Sequence, residues 1–362
     1  MGGVSDISFS ALNNAMLFDI RPKEKRSDLF NYEKEYAQLM AGARDRNTPV
    51  IAITGLRRTG KTSLLKICFN EMRGRKAYLD ARMLGNSDKE VAESIIAALA
   101  KDDIFAKIIG RVGAVSLAGA TLSLSASSHR LIDILAKIDK EGGMAIFIDE
   151  AQLLKRTQFD SVVAYCYDNL RGIKFVLSGS EIGVLDGFLG RDDETAPLFG
   201  RAVETVHLAP LPSEKSVLFL KEGMREAGKK CSEEDIAFAV SMLDGIAGWL
   251  AMFGWHVSKG VQPKKAVDTV FAEGSRLIRK EVEGFLAARA GAKGRYMRIL
   301  SFVAKEPAVW NEIKTHLERK ENGKINDKQL AKYLQALCDY GFMVKKDERY
   351  SVPDPVFRHF LA

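Results

Sequence analysis

The chain has 362 residues, of which 46% are hydrophobic and 28% are charged, as is ordinary for a globular protein with a sizeable core. Its length predicts two or three domains. No apolar run approaches the length of a membrane span, the first fifteen residues lack the pattern of a signal peptide, and the four cysteines form no C-x-x-C pair. We therefore expect a cytoplasmic protein without a membrane partner, a zinc site or a disulfide framework.

The formal net charge of +7 is concentrated at the C-terminal end of the chain. Residues 293–362 carry 14 Lys and Arg against 9 Asp and Glu, whereas the two signs nearly balance in the rest of the sequence. A basic terminal block suggests a polyanionic partner. The excess of positive charge is modest, and domains that bind no polyanion can carry an equal excess.

The first part of the chain leads from an arm into a strand–loop–helix unit. Residues 1–27 are polar, charged and without periodicity, and they predict an N-terminal arm. A helical pattern runs from Tyr32 to Arg44. The apolar segment Val50–Thr54 then predicts a buried strand, and the residues after the next loop predict a helix over Lys61–Met72. The loop between them has the sequence G-x-x-x-x-G-K-T.

A loop of this sequence between a strand and a helix is typical of a phosphate-binding site. Gly55 and Gly60 let the backbone curl so that amide groups converge on a phosphate, and the helix adds the positive end of its dipole. Lys61 would place its charge between the β- and γ-phosphates, and Thr62 its hydroxyl on Mg²⁺. The predicted nucleotide-binding residues of this loop are Gly55, Leu56, Arg57, Arg58, Thr59, Gly60, Lys61, Thr62 and Ser63. The side chain of Arg58 is expected to be solvated.

Strands and helices alternate over the following residues. The predicted elements are the strand Lys76–Asp80, the helices Lys89–Ala100, His129–Lys140 and Phe159–Leu170, and the strands Met144–Asp149, Ile173–Ser178 and Val203–Leu208. Small residues in an alternating pattern predict a β-hairpin insertion at about residues 111–127. The alternation predicts an α/β fold, a doubly wound parallel sheet of the P-loop type, over residues 28–210.

Acidic and hydroxyl side chains follow two of these strands. Asp149 and Glu150 come at the end of an apolar strand, where open α/β sheets bind their ligands. Asp149 would hold Mg²⁺ through a water, and Glu150 would activate the attacking water as general base. Ser178 and Ser180 follow the strand expected beside Val50–Thr54, where a hydroxyl can contact the γ-phosphate or cap the next helix.

An arginine near the last strand of this sheet is the final catalytic candidate. Arg201 follows Gly200, and a side chain at that edge can reach a phosphoryl group of its own chain or of a neighbour. A surface arginine without a role is the alternative.

Strands give way to helices after residue 210. Residues 211–292 predict a helical lid domain, in which Gly245 and Gly248 mark a tight helix junction. Residues 293–362 predict three helices, among them Tyr296–Ala304 and Asp327–Tyr340, and a terminal hairpin that turns at Lys346–Glu348. Three helices and a two-stranded wing describe a winged helix-turn-helix domain.

Taken in order, the motifs resemble a known family. G-L-R-R-T-G-K-T, I-F-I-D-E-A-Q, L-S-G-S, P-L-F-G-R-A and G-I-A-G-W-L, followed by a winged helix, are similar to those of archaeal AAA+-type ATPases of the signal-transducing (STAND) branch of P-loop ATPases. These are similar in layout to the origin-recognition ATPases. The resemblance covers residues from about Met16 to the C-terminus.

The resemblance implies an ATPase core, a helical lid and a winged helix, with ATP or ADP and Mg²⁺ as cofactors. Lys61 and Thr62 match the first Walker motif, and Asp149 and Glu150 the second. Residues 178–180 match the first sensor, and Arg201 matches the arginine motif. The sequence departs from the family pattern where Ala247 replaces a proline in the lid and where Tyr32 replaces an arginine before Glu33.

Three hypotheses follow for the function. The first is an ATP-hydrolysing switch in which the nucleotide state repositions the winged helix. The second is a nucleotide-gated protein with little turnover that binds duplex DNA, with Lys345, Lys346 and Arg349 in the wing on phosphates. The third is a regulatory scaffold that forms a homo-oligomer on ATP, or binds another protein, with Arg201 acting in trans.

Overall fold

The computed structural model describes residues 16–101, 105–107, 125–179, 187–190 and 194–362. Most of the hairpin expected at 111–127, and the sensor candidate Ser180, lie outside the described residues. The end of that stretch is described and differs from the expectation, because Ser125 caps a helix that begins at Ala126.

Eight strands are described. They are β1 Val50–Gly55, β2 Lys76–Asp80, β3 Met144–Asp149, β4 Ile173–Ser178, β5 Glu204–Leu208, β6 Ala308–Val309, β7 Val344–Lys346 and β8 Arg349–Ser351. The α-helices of the first half are α1 Glu33–Arg44, α2 Lys61–Glu71, α3 Asp88–Leu99, α4 Ala126–Lys140 and α5 Phe159–Asn169. Those of the second half are α6 Ser213–Glu226, α7 Glu233–Leu243, α8 Ala247–Ser258, α9 Pro263–Ala287, α10 Lys293–Val303, α11 Trp310–Glu321, α12 Asp327–Asp339 and α13 Pro355–Leu361.

The first five strands form a parallel sheet in the order β2-β3-β4-β1-β5. Successive side chains of a strand point to opposite faces, so each strand feeds two cores. In β1, Ile51 and Ile53 pack with α1 and α2 on one face, while Val50 and Ala52 pack with α3, α4 and α5 on the other. The expected doubly wound parallel sheet is therefore confirmed.

This strand order determines where the site forms. β1 lies beside β4, as predicted, and β4 lies beside β3. Because parallel strands end at the same edge, the loop after β1, Asp149 at the end of β3 and Ser178 at the end of β4 meet there.

Four helices, α6 to α9, form the lid, and the last seventy residues form the winged helix. In the winged helix, β6 extends the predicted hairpin to a three-stranded antiparallel sheet in the order β6-β8-β7. Neither β6, which has two residues, nor the terminal helix α13 is predicted from the sequence. The helix α13 packs on α9 and joins the winged helix to the lid.

The described part of the N-terminal arm lies against the lid. The ring of Phe18 is 1% exposed and fits against glycines in two lid helices. A Cβ placed on Gly223 or Gly254 would lie 2.3 or 2.2 Å from that ring. Within the described parts of the chain, none of the helices combines the length and the apolar composition needed to cross a membrane.

Candidate active site

The loop between β1 and α2 has the backbone conformation that its glycines predict. Gly55 has φ +146° and Gly60 has φ +103°, a region that side chains with a Cβ rarely adopt. Gly55 also passes so close to β5 that an added Cβ would lie 2.4 Å from the carbonyl oxygen of Leu208. The two glycines therefore allow both the turn and the close packing of the loop at the start of α2.

Lys61 is the buried cation of this loop. Its side chain is 6% exposed, and Nζ donates to the carbonyl oxygens of Gly55 at 3.0 Å and Leu56 at 2.5 Å. Burial lowers the pKa of Lys61 to about 7, partly opposed by the negative charge of Glu150. An anionic phosphate in the loop would favour the protonated lysine, since a nearby opposite charge stabilises the charged form.

Three oxygen-bearing side chains meet beside the lysine. The hydroxyl of Thr62 donates to the carboxylate of Asp149 at 3.0 Å, and the hydroxyl of Ser178 donates to the same carboxylate. Asp149 and Ser178 are almost completely buried. The predicted residues from the loop, β3 and β4 are therefore brought together at one point.

The oxygens of this cluster suit Mg²⁺, which prefers one or two protein oxygens together with phosphate oxygens and waters. Thr62 and Asp149 offer a hydroxyl and a carboxylate of that kind. Among the described residues, no group of three or more His, Cys, Asp and Glu side chains could hold a metal by itself. A magnesium ion here would therefore be held jointly with a nucleotide.

Glu150 occupies the position next to this cluster. Its backbone has φ 55°, in the left-handed region, and its carboxylate accepts a hydrogen bond from Nε2 of Gln152. Its side chain lines a cavity that also borders the glycine-rich loop. A carboxylate that lines this cavity can accept a proton from a water molecule held there.

The cavity has a volume of about 380 Å³, within the range of small-molecule sites. The residues of the loop from Arg57 to Ser63 line it. The arm, the segment before α1 and the lid contribute apolar side chains, namely Leu17, Leu29, Phe30, Phe219 and Ala251. The lining thus offers loop residues suited to phosphates and apolar side chains suited to a base.

The two departures from the family pattern both lie at this cavity. Tyr32 lines it, and the hydroxyl of Tyr32 donates to the carbonyl oxygen of Ala209 at 2.7 Å. Ala247 lines it at the start of α8, where the amide of Gly248 donates to the carbonyl oxygen of Arg58 at 2.9 Å. The lid motif therefore contacts the phosphate-binding loop through its backbone.

The expectation that Arg58 is solvated is wrong. Its guanidinium lies 4.3 Å from the ring centre of Trp249 and 2.7 Å from the carboxylate of Glu281, both in the lid. Arg57 reaches Glu281 as well, at 3.4 Å, and donates to the carbonyl oxygen of Tyr340 in the winged helix at 2.6 Å. The two loop arginines thus join all three parts of the molecule.

Arg201 does not line the cavity. Its guanidinium is paired with the carboxylate of Asp168, with Nε 2.9 Å from Oδ1, and it also donates to the carbonyl oxygen of Pro197. The structure therefore does not bring Arg201 to the phosphate-binding loop of its own chain.

Sequence reasoning missed two groups at the site. Glu281 lies within a 25-residue helix that carries many charges, so no local signal distinguishes it. Lys23 lines the cavity from the arm, and its amide donates to the hydroxyl of Ser63 at 3.0 Å. The sequence predicts an arm here, and its apolar pair Leu17 and Phe18 is the signal that could indicate a docking segment.

Fold and site together define a P-loop ATPase with a helical lid and a winged helix. A family model described as an ATPase domain predominantly from Archaea matches residues 29–253, and the chain belongs to this family. A model of the C-terminal winged helix-turn-helix domain of the MCM protein matches residues 290–352. The archaeal ATPase family indicated by the sequence motifs is confirmed.

The chain is similar to several proteins of known structure. A Walker-type ATPase of Pyrococcus abyssi is 31% identical, with a TM-score of 0.79 over 95% of this chain and 99% of that one. The Orc1 protein of Aeropyrum pernix in complex with DNA is 14% identical, with a TM-score of 0.46 over 96% of each chain. A mutant RuvB of Thermotoga maritima is also 14% identical, with a TM-score of 0.44 over 94% of this chain and 97% of that one. No curated protein matches the sequence significantly.

Proposed function

We propose that the protein binds and hydrolyses Mg-ATP as an ATPase of the STAND type and uses the nucleotide state to reposition its winged helix. The observation that carries this proposal is the meeting of Thr62, Asp149 and Ser178 beside Lys61, since Lys61 and Thr62 both line a cavity of about 380 Å³. The acidic residue Glu150 after Asp149 favours hydrolysis over binding alone, because its carboxylate can accept a proton from the attacking water.

Each residue of the site has a role in this proposal. Backbone amides of residues 55–63 hold the phosphates, and Lys61 supplies charge between the β- and γ-phosphates. Thr62 and Asp149 would hold Mg²⁺, which when bound neutralises charge on the phosphate oxygens. Glu150 accepts a proton from the attacking water, and Ser178 positions that water or the γ-phosphate.

The switch is supported by contacts of the loop with the other domains. The amide of Gly248 in the lid bonds the carbonyl oxygen of Arg58, and the guanidinium of Arg57 bonds the carbonyl oxygen of Tyr340 in the winged helix. A change in the loop conformation on nucleotide binding would therefore alter contacts with both the lid and the winged helix. We accordingly assign residues 1–27 to the arm, 28–210 to the core, 211–292 to the lid and 293–362 to the winged helix.

The first test is ATP turnover by the purified protein, with and without duplex DNA, beside Lys61→Ala as a blank. Turnover that is lost in this variant supports hydrolysis at the proposed site. If DNA accelerates turnover, the ATPase core and the winged helix are functionally coupled. If the wild type neither binds nor hydrolyses ATP with Mg²⁺, the proposal fails.

Duplex DNA is the second candidate, as a partner of the winged helix. Among the described residues, Lys328 and Lys332 stand exposed on α12 without an ion pair, one helical turn apart. The wing is less favourable than expected, because Lys345 pairs with Glu348 at 2.8 Å and Arg349 lies 4.0 Å from Glu312. We therefore assign the contacts with DNA phosphates to α12 in preference to the wing.

The test of DNA binding is its dependence on salt. The logarithm of the affinity should fall by about 0.9 per neutralised phosphate for each tenfold rise in salt. Replacing Lys328 and Lys332 together by Ala should reduce that slope, whereas Lys345→Ala should change it little. A salt-independent response removes the DNA hypothesis and leaves a protein partner for this domain.

The position of Arg201 favours the third candidate, an ATP-dependent homo-oligomer. A side chain that does not line the cavity of its own chain can act only on a neighbour or after a rearrangement. Measuring the mass in solution with ATP and with ADP distinguishes an oligomer from a monomeric switch.

A further inference from the structure

One carboxylate of the lid holds both arginines of the phosphate-binding loop. Oε1 of Glu281 lies 2.7 Å from Arg58, and Oε2 lies 3.4 Å from Nε of Arg57. All three side chains are partly shielded, with 17% to 29% of each exposed. All three also line the cavity to which the proposed function assigns the nucleotide.

We propose that Glu281 is a displaceable counter-ion, which the phosphates of a bound nucleotide replace as the partner of Arg57 and Arg58, so that the loop releases the lid and the winged helix. This inference rests on the proposed function, because it concerns regulation of the same site.

The competition follows from the charges around the cavity. A guanidinium presents a planar fork of donors that fits a carboxylate and a phosphate equally well. Glu281 is the acidic side chain that the lid contributes to the cavity, and a polyphosphate beside it would be repelled. In the partly desolvated cavity, this repulsion is screened less than it would be in water. Moving the two guanidiniums from Glu281 to the phosphates neutralises the incoming charge. Glu281, which is then no longer held by the loop, is repelled from the site together with the lid helix that carries it.

The same movement would loosen contacts between domains. Arg58 stacks on Trp249 of the lid, at 4.3 Å from the ring centre. Arg57 lies 5.5 Å from the ring centre of Phe342 and bonds the carbonyl oxygen of Tyr340, both in the winged helix. A guanidinium that turns toward a phosphate cannot keep these positions. Occupation of the site would thereby be converted into release of the lid and the winged helix.

The test is Glu281→Gln, which keeps the size and the acceptor oxygen but removes the charge. We expect ATP to bind about tenfold more tightly, because Arg57 and Arg58 no longer have to leave a charged partner to bind the phosphates. Amide hydrogen exchange at residues 340–342 without nucleotide should rise toward the rate of the ATP-bound wild type. Glu283→Gln is the matched control, since it removes a charge from an exposed position of the same helix.

A double-mutant cycle separates this effect from a general change in stability. If Arg57 and Arg58 are first replaced by Gln, Glu281→Gln should no longer raise the affinity for ATP above the effect of Glu283→Gln. If Glu281→Gln has wild-type thermal stability but binds ATP no more tightly than the wild type, the inference is overturned. In that case, ATP binding by the wild type would still support the proposed function. If the wild type binds no nucleotide, both fail together.

Discussion

The indole N–H of Trp249 donates to both carboxylate oxygens of Asp354, at 3.0 and 3.1 Å. Asp354 also accepts the amides of Val356 and Phe357 and so caps the terminal helix. Through this one side chain the lid holds the end of the winged helix. Burial raises the pKa of Asp354, against the opposing charge of Arg58.

Asp354→Ala and Asp354→Asn should therefore differ strongly in stability. The alanine removes a cap and leaves a buried indole N–H unpaired, which together cost about 2 to 4 kcal/mol of unfolding free energy. The asparagine keeps an acceptor for the cap and the indole. Because the folded protein raises the pKa of Asp354, the wild type loses stability relative to Asp354→Asn as the pH rises through that pKa. Urea unfolding at neutral pH measures both variants, and equal losses would contradict this assignment.

Thr62→Ala tests the proposed magnesium ligand. The variant removes the hydroxyl that lies 3.0 Å from Asp149. We expect the affinity of the site for Mg²⁺ in the presence of ATP to fall at least about tenfold. The affinity for ADP, measured with a chelator that removes Mg²⁺, should stay near that of the wild type. Titration calorimetry with and without Mg²⁺ measures this. Thr269→Ala, on an exposed helical surface, is the control, and a similar loss in both would remove the metal role.

Glu150→Gln should separate binding from hydrolysis. The amide cannot accept a proton from water, and loss of a general base lowers a rate by about 10² to 10⁴. The affinity for ATP should stay within about twofold of the wild type, since binding is assigned to the loop. Single-turnover measurement gives the rate directly. Turnover at the wild-type level would show that Glu150 is not the base.

Arg201→Ala tests action on a neighbouring chain. We expect unchanged ATP affinity, because Arg201 does not line the cavity, together with lower turnover. Mixing the Arg201→Ala and Lys61→Ala variants should restore part of the activity. In a mixed oligomer, the Lys61→Ala chain supplies an intact Arg201, and the Arg201→Ala chain supplies an intact nucleotide site. Asp168→Asn frees the guanidinium without removing it and should retain turnover. No recovery in the mixture would exclude the trans arrangement.

The site could be predicted largely because its parts are local. The glycine-rich loop, the apolar strand before Asp149 and the strand before Ser178 each occupy a few consecutive residues, and the rule for parallel strands places their ends together. The distant partners could not be predicted in this way. Arg58 and Glu281 are 223 positions apart, and nothing in the loop sequence indicates which helix will cover it.

Long-range packing also explains the smaller differences in the fold. The two-residue strand β6 exists because β8 offers it hydrogen bonds, since two residues have no pattern of their own. The helix α13 depends on its cap at Asp354 and on its contact with α9. Both belong to the C-terminal domain, where the sequence predicts three helices and a two-stranded wing but neither of these elements.

Gly254→Ala and Gly284→Ala should have opposite effects although both lie in lid helices. A methyl group at Gly254 would stand 2.2 Å from the ring of Phe18, and overpacking of this kind costs about 1 to 3 kcal/mol. A Cβ at Gly284 would meet no atom within 4 Å beyond its chain neighbours and the backbone of its own helix, so alanine should stabilise the helix by about 0.5 to 1 kcal/mol. Thermal unfolding measures whether each variant is less or more stable than the wild type.

The same pair tests whether the arm belongs to the nucleotide site. Displacing Phe18 would move its neighbours Leu17 and Asp19, which line the cavity, so Gly254→Ala should also weaken ATP binding. Gly284→Ala should leave that affinity unchanged. If Gly254→Ala destabilises the lid but binds ATP as the wild type does, then the arm stabilises the lid without forming a wall of the site.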